Sequence, residues 1–361
     1  MRGSSRETHP SSPEYAKFSI IKYRKFVPSV VSIALTAVIG FIIYRDVPDW
    51  SKSFEVMIHG RPLFLLAGLF FVFLHMVLRA VRWGALLTTA KPDIRFRNLI
   101  SLTLIKYVIN LIPPRSGEFA ASILLARKEK ISSSTVIAAS VFERILDLIS
   151  VFILFAFYLF SFGAGTRNSQ KGDAIILAIR SYSIKGVLLF GIGLLILLLL
   201  LRNAHWAARI PSKIRKPILG FLEGFRALQS HGVMLRVALL SLAIWLCIAL
   251  QLWLLLKSYM PAFPLTGTAL IVVLTAVGVA IPTPGGVGGY QYFMSLALIN
   301  FFGKHLSPID SHTQAAGISN MCYIVSAVPV IIAGLVFLNR EGLSLGRIFR
   351  IREDLPNNLE A

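Results

Sequence analysis

Six ionisable residues interrupt otherwise apolar stretches of this sequence: Lys106, Arg115, Glu118, Glu143, Arg144 and Asp147. Their three cations and three anions cancel. On insertion scales a charge at the centre of a membrane helix costs roughly 2.5 to 3.5 kcal/mol, so the six must pair or line a wet cavity. Glu143 and Asp147 stand one helical turn apart on a shared face, with Arg144 beside them. The expectation is one contiguous cluster of Arg115, Glu118, Glu143, Arg144 and Asp147, with Lys106 shallow enough to snorkel towards the cytoplasmic headgroups. The rival use of these residues is a salt-bridge network that only clamps helices together. Glu118 has a local role as well, because Ser116 can cap the helix it opens and an acid in the first turn suits the helix dipole.

A second candidate carries no charge. Pro284-Gly285-Gly286-Val287-Gly288-Gly289 offers amide N–H groups at the start of a helix carrying Tyr290 and Gln291, and helix N-termini attract phosphate. Close packing through small residues is its competing explanation. With Arg115, the glycines 285, 286, 288 and 289 form the expected phosphate-binding set.

The elements that must position these residues are helices in a membrane. The chain of 361 residues is 55% hydrophobic and 15% charged, with a mean hydropathy of +0.71, against about 25% charged in soluble domains. That excludes a cytosolic enzyme. Apolar stretches suited to a ~30 Å hydrocarbon core cover residues 27–44, 63–78, 135–162, 184–201, 237–256 and 313–338. Two further regions are each broken at the centre. Residues 98–112 meet Pro113-Pro114-Arg115-Ser116-Gly117 and resume to 126, while residues 265–281 meet the second Pro/Gly run and resume to 302. A half of 15 residues rises only ~22 Å as a helix, so each region reads as a re-entrant hairpin whose irregular tip is covered by protein or water. A pair of full spans competes with this, most seriously for the second, longer region.

The predicted fold is all-α and polytopic: about six spans and two hairpins. A cytoplasmic tail at 1–26, disordered and basic, precedes a membrane domain at 27–338, and a second tail follows at 339–361. The order of elements in 27–165 returns in 184–338 with opposite orientation, the inverted repeat of many transporters, whose site lies at the repeat interface. The formal charge of +20 arises from 37 Lys and Arg against 17 Asp and Glu. Five alternate segments, among them residues 79–97 and the interfacial amphipathic stretch 202–236, hold most of the cations. The positive-inside rule then places both termini in the cytoplasm of a multi-pass inner-membrane protein. Cations spread over every cytoplasmic loop speak for anionic lipid and against nucleic acid. Cys247 and Cys322 lie in apolar runs and read as buried hydrophobes. The histidines show no ligand spacing, and no HExxH, GxSxG or P-loop pattern occurs. No metal, cofactor or catalytic residue is expected.

Arg79-Ala-Val-Arg82-Trp83, Pro113-Pro114-Arg115-Ser116-Gly117-Glu118, Glu143-Arg144-Ile145-Leu146-Asp147 and Pro282-Thr283-Pro284-Gly285-Gly286-Val287-Gly288 occur in the order and spacing of the flippase-like family. This is the transmembrane region of lysylphosphatidylglycerol synthases, found also as stand-alone membrane proteins. The resemblance covers about residues 27–338 and implies lipid translocation between leaflets. It carries functional positions onto Arg115, Glu118, Glu143, Arg144, Asp147 and the Gly285-Gly286 loop, and Arg79 and Arg82 of the first motif join the lipid- and phosphate-binding set. Two positions depart from the pattern: Ala121 stands where the family often has Arg, and Gln291 where it often has Glu, so the lysyl lipid is not inherited as substrate. The sequence stops at Ala361 without the soluble aminoacyl-transferase domain, and synthesis of the aminoacyl lipid by that route is not expected. The expected function is therefore movement of a phospholipid or polyprenyl-phosphate lipid across the cytoplasmic membrane. The alternatives are a membrane-embedded lipid-modifying enzyme, a non-catalytic partner of a lipid-synthesis enzyme, and a scaffold.

Overall fold

The structure, a computed structural model, describes residues 13–111, 116–162, 231–306 and 310–343. Arg115, the expected span at 184–201, residues 202–230 of the basic segment and both chain ends lie outside the described residues. Those described are helical, without strands. Helix α1 (Pro13–Asp46) contains the first expected span and takes in residues 13–26 before it, opening on Pro13, where a proline's fixed φ suits a helix start. A short helix that the apolar pattern did not announce, α2 (Trp50–Ile58), follows, capped by Asp49, whose carboxylate accepts the Lys52 N–H at 3.0 Å. Helix α3 (Pro62–Leu87) again opens on proline.

Next come α4 (Phe96–Ile109) and α5 (Gly117–Glu129), then the long α6 (Ser133–Phe162). In the second half, α7 (His231–Lys257) precedes α8 (Thr268–Ala280) and α9 (Gly289–Phe302), and α10 (Ser311–Arg340) closes the bundle. Four of these helices are long and apolar enough to cross a membrane: α1 over Ser29–Asp46, α3, α7 over Gly232–Lys257, and α10. Helix α6 is as long as α10 and carries Glu143, Arg144 and Asp147.

The two broken regions are helical hairpins. Helix α4 packs on α5, and α8 on α9. The helices of the second region are no longer than those of the first, because α8 starts only at Thr268 after turns at Pro264–Gly267; they have 13 and 14 residues, against 14 and 13 in the first hairpin. Each rises about 20 Å, short of a ~30 Å core.

Packing between the halves is reciprocal. Helices α3 and α7 run along each other, α4 of the first hairpin packs on α10, and α8 of the second packs on α6. Large apolar side chains that face away from these seams, such as Phe41, Leu63, Leu66 and Phe70, are exposed, as expected of a lipid-facing surface. Between helices, where lipid is as apolar as leucine, close approach does the work; Gly68 of α3 lies under the Leu255 side chain of α7.

At one end of the bundle, Glu129 ties the α3–α4 connection to the end of α5. Its carboxylate accepts from Lys91 Nζ, from Asn98 Nδ2 at 2.6 Å and from the Arg95 N–H at 3.4 Å. Burial works to raise its pKa, and the hydrogen bonds from Lys91 and Asn98 more than offset it, holding the carboxyl below its ordinary 4.5. A depressed folded pKa means stabilisation that is complete above the unfolded value and is lost as pH falls through the folded one. Glu129→Gln is therefore expected to lower the melting temperature in detergent at neutral pH, by the equivalent of about 1–3 kcal/mol for charged hydrogen bonds. The gap from the native protein should close as pH is lowered below 4.5; a gap independent of pH would refute the assignment.

Candidate functional site

Helix continuity through Leu87 places Arg79 and Arg82 inside the bundle. Three residues apart, they share one side of α3 and meet Glu143 and Asp147, which share one side of α6. Arg82 Nε donates to Glu143 Oε1 at 3.2 Å, and its Nη1 donates to Asp147 Oδ1 at 2.9 Å and to Ser241 Oγ of α7 at 3.1 Å. Arg79 Nη1 reaches Asp147 Oδ2 at 3.3 Å, Arg144 Nη2 reaches the same oxygen at 3.4 Å, and Trp245 Nε1 donates to Asp147 Oδ1 at 3.2 Å. Asp147 thus joins α3, α6 and α7. The Arg82 side chain is fully buried and that of Asp147 is 10% exposed.

The intramembrane cluster expected from sequence is corrected in two respects. Arg79 and Arg82, counted among loop charges, are the buried partners of Glu143 and Asp147. Glu118 stands at the hairpin tip, where Asn110 Nδ2 lies 3.5 Å from its Oε1 and its Oε2 is buried without a hydrogen-bond partner, and it joins the group through its charge, which acts on Lys106 and Arg144. Lys106 does not snorkel; it is 7% exposed, with its ammonium 5.8 Å from the centre of the Trp83 ring. The described set is then Arg79, Arg82, Lys106 and Arg144 against Glu118, Glu143 and Asp147, four cations to three anions. Some N–H groups in it stay unused, since Arg79 Nε, Arg82 Nη2 and Trp83 Nε1 are buried with no acceptor.

The hairpin tips meet. Gly285 N–H donates to the carbonyl of Asn110 at 3.4 Å, and its carbonyl accepts from Tyr323 Oη of α10 at 3.0 Å. Gly285, Gly286 and Gly288 hold φ of 62°, 79° and 84°, a region that side chains avoid, so the turn needs glycine for its path. The bare amides expected there are corrected. Gly286 N–H donates to Thr283 O at 3.0 Å and Gly288 N–H to Gln291 Oε1 at 2.8 Å. Gln291 therefore caps α9, a task that Glu or Gln at this position performs. Ala121, the other departure from the family pattern, is a packing residue at 1% exposure. Gly289 serves the hairpin's helix contact, facing Gly278 of α8.

The cap of α5 is also different from the one expected. Ser116 Oγ donates back to Ile109 O at 3.4 Å, and Asn110 Oδ1 accepts the Gly117 N–H at 2.7 Å. An Asn just before a Pro-Pro break was the available signal, and the nearer Ser masked it. Asn110→Ala is expected to cost about 1 kcal/mol, the usual loss of a cap, read as a lower melting temperature; an unchanged value would reject the cap.

The chain matches a family model described as the lysylphosphatidylglycerol synthase TM region over residues 29–334. No curated protein matches it. Together with four helices able to cross a bilayer, the match makes this a multi-pass membrane protein.

Proposed function

The chain belongs to the lysylphosphatidylglycerol synthase transmembrane-region family, and on that footing we propose that it is a lipid translocase. It moves a phospholipid or polyprenyl-phosphate lipid between leaflets of the inner membrane, with both termini in the cytoplasm and two hairpins re-entrant within an inverted repeat. The observation that carries this reading is the cluster where α3, α6 and α7 meet, in which buried Arg79 and Arg82 answer buried Glu143 and Asp147 and guanidinium N–H groups are left over. Intramembrane charges facing a bundle interior are costly and mark substrate pathways. Reciprocal packing of each hairpin on the other half's closing helix supports the repeat, and the meeting of the tips at Asn110 and Gly285 supports a barrier between two half-paths. Arg79 and Arg82 would bind the anionic head, with Arg115 as a further candidate; Glu118, Glu143 and Asp147 set the charge of the path.

Reconstitution into vesicles with fluorescent phospholipids and polyprenyl phosphates tests it. Faster exchange between leaflets than in protein-free vesicles is expected, and no acceleration across the panel would reject translocation. Mass spectrometry of the same lipids reads the enzymatic alternative, which requires a changed headgroup.

A further inference from the structure

Helix α2 joins α1 to α3 and, at nine residues, rises about 14 Å, too short to cross a bilayer. At about 100° per residue its side chains divide into three arcs. Ser53 and Val56 face the protein, where Gly317 of α10 lies against the Ser53 carbonyl and the Val56 side chain. Ser51, Lys52 and Glu55, with His59 at the cap, form an exposed polar arc. Trp50, Phe54 and Ile58, at i, i+4 and i+8, form a third arc that is apolar and 39%, 61% and 63% exposed. Protein, water and an apolar solvent meet together only at the surface of a bilayer, beside a span.

The neighbours of α2 set it at that level. Its end is tied to the end of α7: Tyr259 Oη donates to the Met57 carbonyl at 2.8 Å, and the Arg61 N–H donates to the Ser258 carbonyl at 3.3 Å. Gly317 lies within the first two turns of α10, which starts at Ser311. The same level gathers residues typical of a membrane interface. Tyr44, at the end of α1, stacks on Trp50 with ring centres 6.1 Å apart and accepts the Trp50 Nε1 hydrogen on its carbonyl at 3.4 Å. The Lys257 ammonium lies 4.6 Å from the centre of the Trp253 ring at the end of α7. Tryptophan and tyrosine concentrate where lipid meets water, and lysines at helix ends turn towards headgroups.

We propose that α2 is an interfacial helix that binds the lipid surface through Trp50, Phe54 and Ile58, lying along the boundary between headgroups and acyl chains. Lipid is the occupant because this arc continues the exposed apolar surface of α1, which carries Phe41 and Tyr44, through the contact of Tyr44 with Trp50. Headgroup charge plays no part in the binding: Lys52 is paired with Asp49 at 3.4 Å and Glu55 adds a second acid, so α2 has no cation in excess to offer an anionic lipid.

Phe54→Cys and Lys52→Cys, each made in the full chain and reconstituted into vesicles, test this with an environment-sensitive fluorophore on the new thiol. Cys247 and Cys322 are buried, and the parent protein treated in parallel gives the background. The replaced side chains are exposed, so both variants should fold as the parent does. The quenchers are iodide on both sides of the bilayer and a phosphatidylcholine spin-labelled near the top of its acyl chain. The fluorophore at position 54 is expected to be quenched by the spin-labelled lipid, and several-fold less by iodide than the one at position 52. The result should be the same in phosphatidylcholine alone and in its mixture with phosphatidylglycerol. Equal iodide quenching at the two positions would place the arc in water. Quenching at position 54 by neither agent would mean that protein, such as a second copy of the chain, covers it. Lipid quenching that needs phosphatidylglycerol would mean binding through charge. Each of these three results overturns the proposal, and a failure of the parent protein to exchange lipids between leaflets leaves it standing.

Discussion

Asp147→Asn is expected to remove most of the folded protein. The carboxylate of Asp147 receives Arg79, Arg82, Arg144 and Trp245, and the asparagine keeps its shape while losing the charge and turning one acceptor into a donor aimed at donors. Breaking a buried ion pair by removing one partner costs about 3–5 kcal/mol, because the remaining charge stays buried; total stabilities are typically about 5–15 kcal/mol. The check is the monodisperse fraction after extraction and the melting temperature in detergent. Asp46→Asn is the control: its side chain is 43% exposed and, among the described residues, paired with Arg45 at 3.6 Å, and its loss should be nearly silent. Arg79→Gln combined with Asp147→Asn should recover part of the deficit, since one buried cation leaves with the anion; the recovery measures the coupling. If Asp147→Asn were as stable as Asp46→Asn, the central role given to this carboxylate would be wrong.

Gly278→Ala is the second large effect. An added Cβ would lie 2.3 Å from the Gly289 carbonyl oxygen, and one on Gly289 would lie 2.2 Å from that of Gly278. Both obstacles are backbone, so neither can swing aside. Helices α8 and α9 must separate, at the upper end of the ~1–3 kcal/mol usual for overpacking. Because α9 begins directly after the glycine turn, that separation also moves Gly285 from Asn110 and Tyr323. Exchange between leaflets should fall further than stability does. Gly40→Ala, with nothing within 4 Å of the new carbon, should be neutral or gain the ~1 kcal/mol by which alanine exceeds glycine in helices. Equal behaviour of the two variants would show that the second hairpin tolerates looser packing than its geometry implies.

Much of the scaffold was legible because it is written locally. Apolar stretches at 63–78, 237–256 and 313–338 lie inside α3, α7 and α10, and the described helices of each broken region end and restart on either side of its Pro/Gly run. The end of α3 was misplaced for a physical reason. Hydropathy stops at Leu78 because Arg79 follows, but a helix is held by backbone hydrogen bonds and continues while they do, here to Leu87. That difference moved two arginines from a loop into the core of the site. Helix α2 was missed because an amphipathic helix of nine residues is too short for a span-length window.

The sequence alone determined an all-helical membrane chain, its two broken regions, and Glu143 and Asp147 as buried acids, since length, apolarity and turn chemistry act over a few neighbouring residues. Only the tertiary structure decided which cations answer those acids. Arg79 and Arg82 stand 61 to 68 residues away along the chain, and Ser241, which completes the Arg82 fork, stands 159 away. Charge pairing depends on distance in space, and the packing of α3 against α6 and α7 sets that distance.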